Sequence, residues 1–310
     1  MSMQTPAAHL TMQGRAVDTS PAAFGELWDS LGDVVDMPLL RGRMNEDGYL
    51  FFRGYFDVDK VLAARREVCE RLAKMGMLDE SHPLIDAISR PDTPDFYSPD
   101  ELVEANQPLL ELLYDGPMIT FYERFLGRPV RHFDYTWFRT HIPGGKSTLP
   151  HCDRVYMGRG TADLYTSWTP IGDAPLSDGP LAVIPRSHRI EKLQPKYFEL
   201  DVDAVCTNRR GADGRPRRQS PSFGYLSKNP VRLRANLGLP FLTTDFRAGD
   251  LLVFTTRTLH CSFDNHGRRI RLSTDTRYQA ADEPIDDRWV SIDGRPPVRH
   301  GDKATRELIC

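Results

Sequence analysis

The chain has 310 residues, 40% hydrophobic and 27% charged, enough to bury one substantial core. A net charge of −3 gives no case for a nucleic-acid or membrane partner, and no apolar run reaches the ~18 residues that a membrane-spanning helix needs. Five cysteines, at 69, 152, 206, 261 and 310, are scattered, odd in number and free of C-x-x-C, which is a poor disulfide framework and fits a reducing cytoplasm. The first 21 residues lack a basic stretch followed by an apolar one, so they read as a polar, poorly ordered lead-in rather than a signal peptide. Residues 22–32 are expected to form a short amphipathic helix.

Asp47 and Gly48 mark a turn into the apolar run at 49–53, which is short enough for a buried strand. From 57 to 77 the period changes. Val58, Val61, Leu62, Val68, Leu72 and Met75 recur at helical spacing, with Asp57 as N-cap and Gly76 near the stop. A Pro-rich connection covers 82–99, and a second helical pattern runs from 109 to 125, ended by Gly127 and Pro129. After Val130 short apolar or alternating runs at 134–142, 164–171, 181–184, 251–254 and 270–278 read as strands between Gly, Pro, Asp and Asn clusters. Helices first and strands afterwards predict a mainly β chain of α+β type, with helices flanking a β core.

The segment 207–235 stands apart, with eight Arg or Lys against one Asp. A long connection between strands is often a lid or a binding loop. As a lid it would offer Arg209, Arg210, Arg217, Arg218 and Lys228 to an anionic group, and Phe223 and Tyr225 to an apolar one. The chain is therefore divided into an N-terminal extension (1–46), one domain (47–281) carrying this insertion, and a tail (282–310).

His151, Cys152 and Asp153 form an H-x-D pair. In a strand, alternate side chains share a face, so the imidazole and the carboxylate would project together as two metal ligands. A histidine from a distant strand, with His260 the candidate, would complete a 2-His-1-carboxylate triad, the usual mode of non-haem Fe(II) oxygenases. The spacing alone is weak, because His132 with Asp134 and His300 with Asp302 share it. Only His151 is followed at suitable distances by further elements. Residues 178–188 read DGPLAVIPRSH, residues 249–254 (GDLLVF) turn into a buried strand before His260, and Ser262, Asn265 and Arg271 follow.

Together these elements resemble the phytanoyl-CoA dioxygenase family of Fe(II)/2-oxoglutarate-dependent oxygenases, from about residue 47 (DGYLFFRGYF) to about 278. The chain departs from the family pattern at Arg186, where glycine is usual, and at Cys152, where glutamine is frequent. The resemblance implies a double-stranded β-helix, a jelly-roll of cupin type, with Fe(II) held by His151, Asp153 and His260 at its mouth. Parity puts Arg269, Arg271 and Arg277 on one strand face, and the family spacing selects Arg271 for the far carboxylate of 2-oxoglutarate, helped by Ser262 and Trp168. Cys152 and Cys261 should point away from the metal into core, and His188 should be a cap or turn residue. The implied reaction takes Fe(II), 2-oxoglutarate and O2 and hydroxylates a small, anionic molecule of secondary-metabolite type, releasing succinate and CO2. Desaturation, epimerisation and ring closure use the same cofactors. A zinc hydrolase would use the triad but gives Arg271 no role, and an intact triad argues against a non-catalytic β-barrel binding protein.

Overall fold

The computed structural model describes residues 10–94, 100–205 and 224–299, with a short strand pair at 301–302 and 307–308. Cys206, His300, Cys310 and much of the basic segment, including Arg209, Arg210, Arg217, Arg218 and Phe223, lie outside the described residues. The chain starts with a hairpin of β1 (Thr11–Met12) and β2 (Arg15–Ala16), then β3 (Phe24–Glu26), α1 (Met37–Asp47), β4 (Tyr49–Phe52) and α2 (Val58–Lys74). Helices α3 (Gln107–Tyr114) and α4 (Gly116–Leu126) precede β5 (Val130–His132), β6 (Trp137–His141), β7 (Tyr165–Pro170) and β8 (Leu181–Val183). The remainder is α5 (Val202–Val205), α6 (Pro230–Leu237), β9 (Phe241–Thr243), β10 (Leu251–Thr255), β11 (His260–Ser262) and β12 (Arg271–Ala280).

Two sheets face each other as a jelly-roll. The larger runs β4-β10-β7-β12-β5, with β6 pairing the first half of β12; the smaller runs β11-β8-β9-β3. The apolar run at 49–52 shows why. Leu50 and Phe52 pack outward against helices α1 to α4, whereas Tyr49 and Phe51 point between the sheets with Trp168, Val183, Phe246 and Phe254. A strand buried on both faces needs no polar alternation. Each such side chain contributes about 1.5–3 kcal/mol by leaving water. Gly48 has φ of 82°, and a Cβ there would lie 2.4 Å from His188 Nδ1, so only glycine fits this entry turn.

Helix α2 agrees with its sequence pattern, and Asp57 caps it by accepting from Asp59 and Lys60 N–H. The pattern at 109–125 is two helices. Asp115 is extended and caps α4 through Gly116 N–H, while Pro117 in the first turn cannot continue α3. The helix expected at 22–32 is absent, because Phe24–Glu26 pairs in parallel with β9 and Phe24 packs on the Phe263 ring. The helix lies later, over 37–47, where Asp36 caps and Met37, Leu40 and Met44 are buried. The lead-in is likewise ordered from Leu10 onward. Asp264 holds the hairpin tip by accepting from Thr11 Oγ1, Gln13 N and Gly14 N at 2.6–2.9 Å. In the segment after β12, Trp289 is fully buried against Phe133, Trp137 and Met157. No helix of the described residues is long and apolar enough to cross a membrane.

Candidate metal centre and active site

An antiparallel bridge joins His151 to the first residue of β11. His260 N donates to the His151 carbonyl at 2.9 Å and His151 N to the His260 carbonyl at 3.1 Å, which sets the two rings 4.3 Å apart. Each ring donates from Nδ1 to the carbonyl two residues upstream, Leu149 at 2.7 Å and Thr258 at 3.1 Å. A carbonyl can only accept, so Nδ1 carries the proton and Nε2 keeps its lone pair.

Asp153 does not continue a strand from His151. It opens a tight turn, Asp153–Val155, and this turn rather than strand parity swings its carboxyl beside the rings. Oδ1 lies 3.7 Å from His260 Nε2 and 4.0 Å from His151 Nε2. Oδ2 accepts from Thr166 Oγ1 at 2.5 Å and from Arg277 Nη2 at 2.8 Å. Two imidazole nitrogens and a carboxylate oxygen, buried and converging within 4.8 Å, have the composition of a 2-His-1-carboxylate donor set that could hold a metal ion. Among the described residues no other three such ligands converge; His132 and Asp134, 3.5 Å apart, have no third partner of this kind.

The electrostatics favour ligand forms. Burial lowers the pKa of His151 to about 3, and His260 beside it adds to the effect, so the ring is neutral at physiological pH. Burial alone would raise the Asp153 carboxyl, but Arg277, His260 and His151 outweigh it and hold the group below the usual carboxylate range. Cys152 and Cys261 point away, into the core cluster outside the smaller sheet.

Two cavities meet at the centre. The narrower one is lined by His141, Lys146, Trp168, His260, Ser262 and Arg271, among others. Arg271 donates to Ser273 Oγ at 2.5 Å and to His141 Nδ1 at 3.3 Å, and its guanidinium carbon lies 5.9 Å from the Trp168 ring. An arginine cannot accept, so His141 Nδ1 is the acceptor and Nε2–H donates to the Gly145 carbonyl at 3.1 Å. Ser262 Oγ accepts from Thr148 N–H at 2.8 Å and keeps its own proton for another acceptor. The structure thus brings Arg271, Ser262 and Trp168 to one wall. Arg269 instead bonds Asp178 at 3.0 Å, and Asn265 ties the 265–269 turn to the His141 carbonyl.

The larger cavity, about 500 Å³, opens on the other side of His151 and Asp153. Trp137, Tyr156, Met157 and Tyr225 give it an apolar wall, and Arg139, Arg277 and Gln13 its polar points. Arg139 lines both cavities, and its Nε is fixed by Asp275 at 3.0 Å. Of the basic segment, Tyr225 reaches the cavity, and Leu226 N–H donates to the Pro150 carbonyl next to His151 at 2.7 Å.

Sequence reasoning missed Thr166, Arg139, His141 and Gln13. A signal existed for two of them. In the run 137–141 Trp137, Arg139 and His141 share a face by parity, and that face pairs with the arginine-bearing face of β12. Nothing in the sequence marks Gln13, which arrives through the hairpin.

Comparisons with known proteins agree with this geometry. The chain is 26% identical over 277 residues to 1-deoxypentalenic acid 11-beta-hydroxylase of Streptomyces exfoliatus, covering 82% of this chain and 87% of that protein. The epimerase SnoN from nogalamycin biosynthesis, solved with Fe3+, alpha ketoglutarate and nogalamycin RO, superposes with a TM-score of 0.53 at 19% identity over 81% of this chain and 86% of its own. EctD from S. alaskensis, solved with 2-oxoglutarate and 5-hydroxyectoine, superposes with a TM-score of 0.55 at 16% identity, covering 93% and 92%. These two likenesses are of fold. The phytanoyl-CoA dioxygenase (PhyH) family model matches residues 44–273, which include His151, Asp153, His260 and Arg271. With about three quarters of its length matched, the chain belongs to the phytanoyl-CoA dioxygenase family and is an Fe(II)- and 2-oxoglutarate-dependent dioxygenase.

Proposed function

We propose that this dioxygenase hydroxylates a small, anionic molecule of secondary-metabolite type, with His151, Asp153 and His260 holding Fe(II). The convergence of these three buried groups carries the reading. Iron held there would supply the redox chemistry by which O2 and 2-oxoglutarate give succinate, CO2 and an oxygen atom for the substrate. The chain's own groups bind and orient. Leu149 and Thr258 carbonyls fix which ring nitrogens face the metal, and Thr166 and Arg277 fix one carboxylate oxygen. Arg271 takes the far carboxylate of 2-oxoglutarate with its planar fork, aided by Ser262, and Trp168 walls that pocket.

Substrate enters the larger cavity. Its aromatic wall suits an apolar body, and Arg139, anchored by Nε and half-buried at the junction of the cavities, offers its terminal nitrogens to a carboxylate. The hydroxylase relative acts, by its name, on an acid. Tyr225 lines this cavity, and Lys228 Nζ lies 6.0 Å from the centre of its ring, so this end of the basic segment would serve as part of a substrate lid. Three buried free cysteines, together with the need to keep iron ferrous, support action in a reducing cytoplasm.

The test is anaerobic Fe(II) titration followed by aerobic succinate assay. One Fe(II) per chain and iron-dependent succinate release, stimulated by small carboxylic acids, are expected. His151→Ala, Asp153→Ala and His260→Ala should each abolish release with a native circular dichroism spectrum, while His132→Ala keeps it. Undiminished release in all three variants would reject the centre.

A further inference from the structure

We propose that Arg277, with Thr166, is the positioning device that limits Asp153 to one metal-facing oxygen. The inference rests on the ligand assignment above. Asp153 divides its two oxygens between different tasks. Oδ1 faces the imidazole nitrogens, while Oδ2 takes two donors, Arg277 Nη2 at 2.8 Å and Thr166 Oγ1 at 2.5 Å. The donors come from adjoining strands in which Arg277 and Thr166 are directly opposed, so sheet register brings them to the same atom.

Arg277 is itself confined. Its side chain is 2% exposed and its guanidinium carbon lies 4.2 Å from the centre of the Trp137 ring. Nε and Nη1 of the same side chain have no hydrogen-bond partner among the described residues, although both are buried. An arginine buried at that cost and joined to a carboxylate by one nitrogen is poorly explained as a stabilising pair, which would use the bidentate fork. It is well explained as a device that must reach a single oxygen. Rotating the carboxylate so that both oxygens meet the metal would break both bonds to Oδ2. A bidentate Asp153 would take a position that 2-oxoglutarate or O2 requires, since a facial triad serves by leaving positions open.

The test uses full-length protein loaded anaerobically with Fe(II), then titrated with 2-oxoglutarate while the visible charge-transfer band of the chelate is followed. Arg277→Met keeps length but removes the donor and the charge. It should retain Fe(II), lose much of the band at saturation and bind 2-oxoglutarate about 10- to 100-fold more weakly, the usual scale for groups supporting a metal ligand. Arg277→Lys, which retains the charge and one donor, should restore most of the band. Thr166→Val should show a smaller change in the same direction. A full band at the wild-type position in Arg277→Met, with wild-type affinities, would reduce the pair to a structural salt bridge. If Arg277→Met does not fold, Thr166→Val decides: an unaltered band there overturns the proposal. Wild-type protein that binds no iron or gives no band would overturn the ligand assignment itself, a failure distinct from this one.

Discussion

Arg271 and Arg277 stand six positions apart on one face of β12, yet they live in different surroundings. Arg271 bonds a serine and a neutral imidazole beside a narrow polar cavity; Arg277 is pressed onto Trp137 and joined to a carboxylate beside a wide, partly aromatic one. Ser273 and His141 can exchange their bonds for a ligand at little cost, because neither is charged. Asp153 cannot, because losing Arg277 would leave a buried carboxylate short of its cation. The same residue type on the same strand face therefore serves a ligand at one end and a ligating side chain at the other.

The largest effect expected from breaking this contrast is at the co-substrate end. Arg271→Ala should raise the KM for 2-oxoglutarate by about one to two decades, because a charge-assisted fork contributes on the order of 1.5–3 kcal/mol. Arg271→Lys should recover part of it. An unchanged KM would move the role elsewhere on that wall.

A smaller effect is expected at the junction. Arg139→Met should raise the KM of a carboxylic-acid substrate by about tenfold, the lower end of the same range, and leave the KM for 2-oxoglutarate near its original value. A matched methyl ester should be insensitive to the substitution. If the ester and the acid respond alike, Arg139 does not read the substrate's charge.

The mildest test is titration. Burial, and then the nearby Arg271, lower the His141 pKa to about 4 from an ordinary 6.5. Between those values the unfolded chain binds the proton and the folded one does not, so stability should fall as pH drops from 6.5 towards 4 and be level above it. The slope from one such group is at most about 1.4 kcal/mol per pH unit. Urea midpoints of metal-free protein across this window should show it, and His141→Asn should remove part of the slope, the remainder belonging to His151, whose pKa burial lowers in the same direction. A slope unchanged in that variant would assign the acid sensitivity to other groups.

Features that depend on short range or on a shared motif could be read from the residues alone. The doubly buried run at 49–52, the Asp57-capped helix, the inward face of β12 and the grouping of His151, Asp153 and His260 were all legible in this way. Which distant groups meet was settled by the folding of the whole chain. Phe24 lies in a strand rather than a helix because β9 supplies its backbone partners. The N-terminal hairpin is ordered because Asp264, some 250 residues away, satisfies its amides. His151 is fixed by a bridge to His260, and Asp153 is shared with an arginine 124 residues later. Periodicity reports which way a side chain faces, whereas a hydrogen bond also needs a partner at the right distance, and that partner is chosen by how the sheets close.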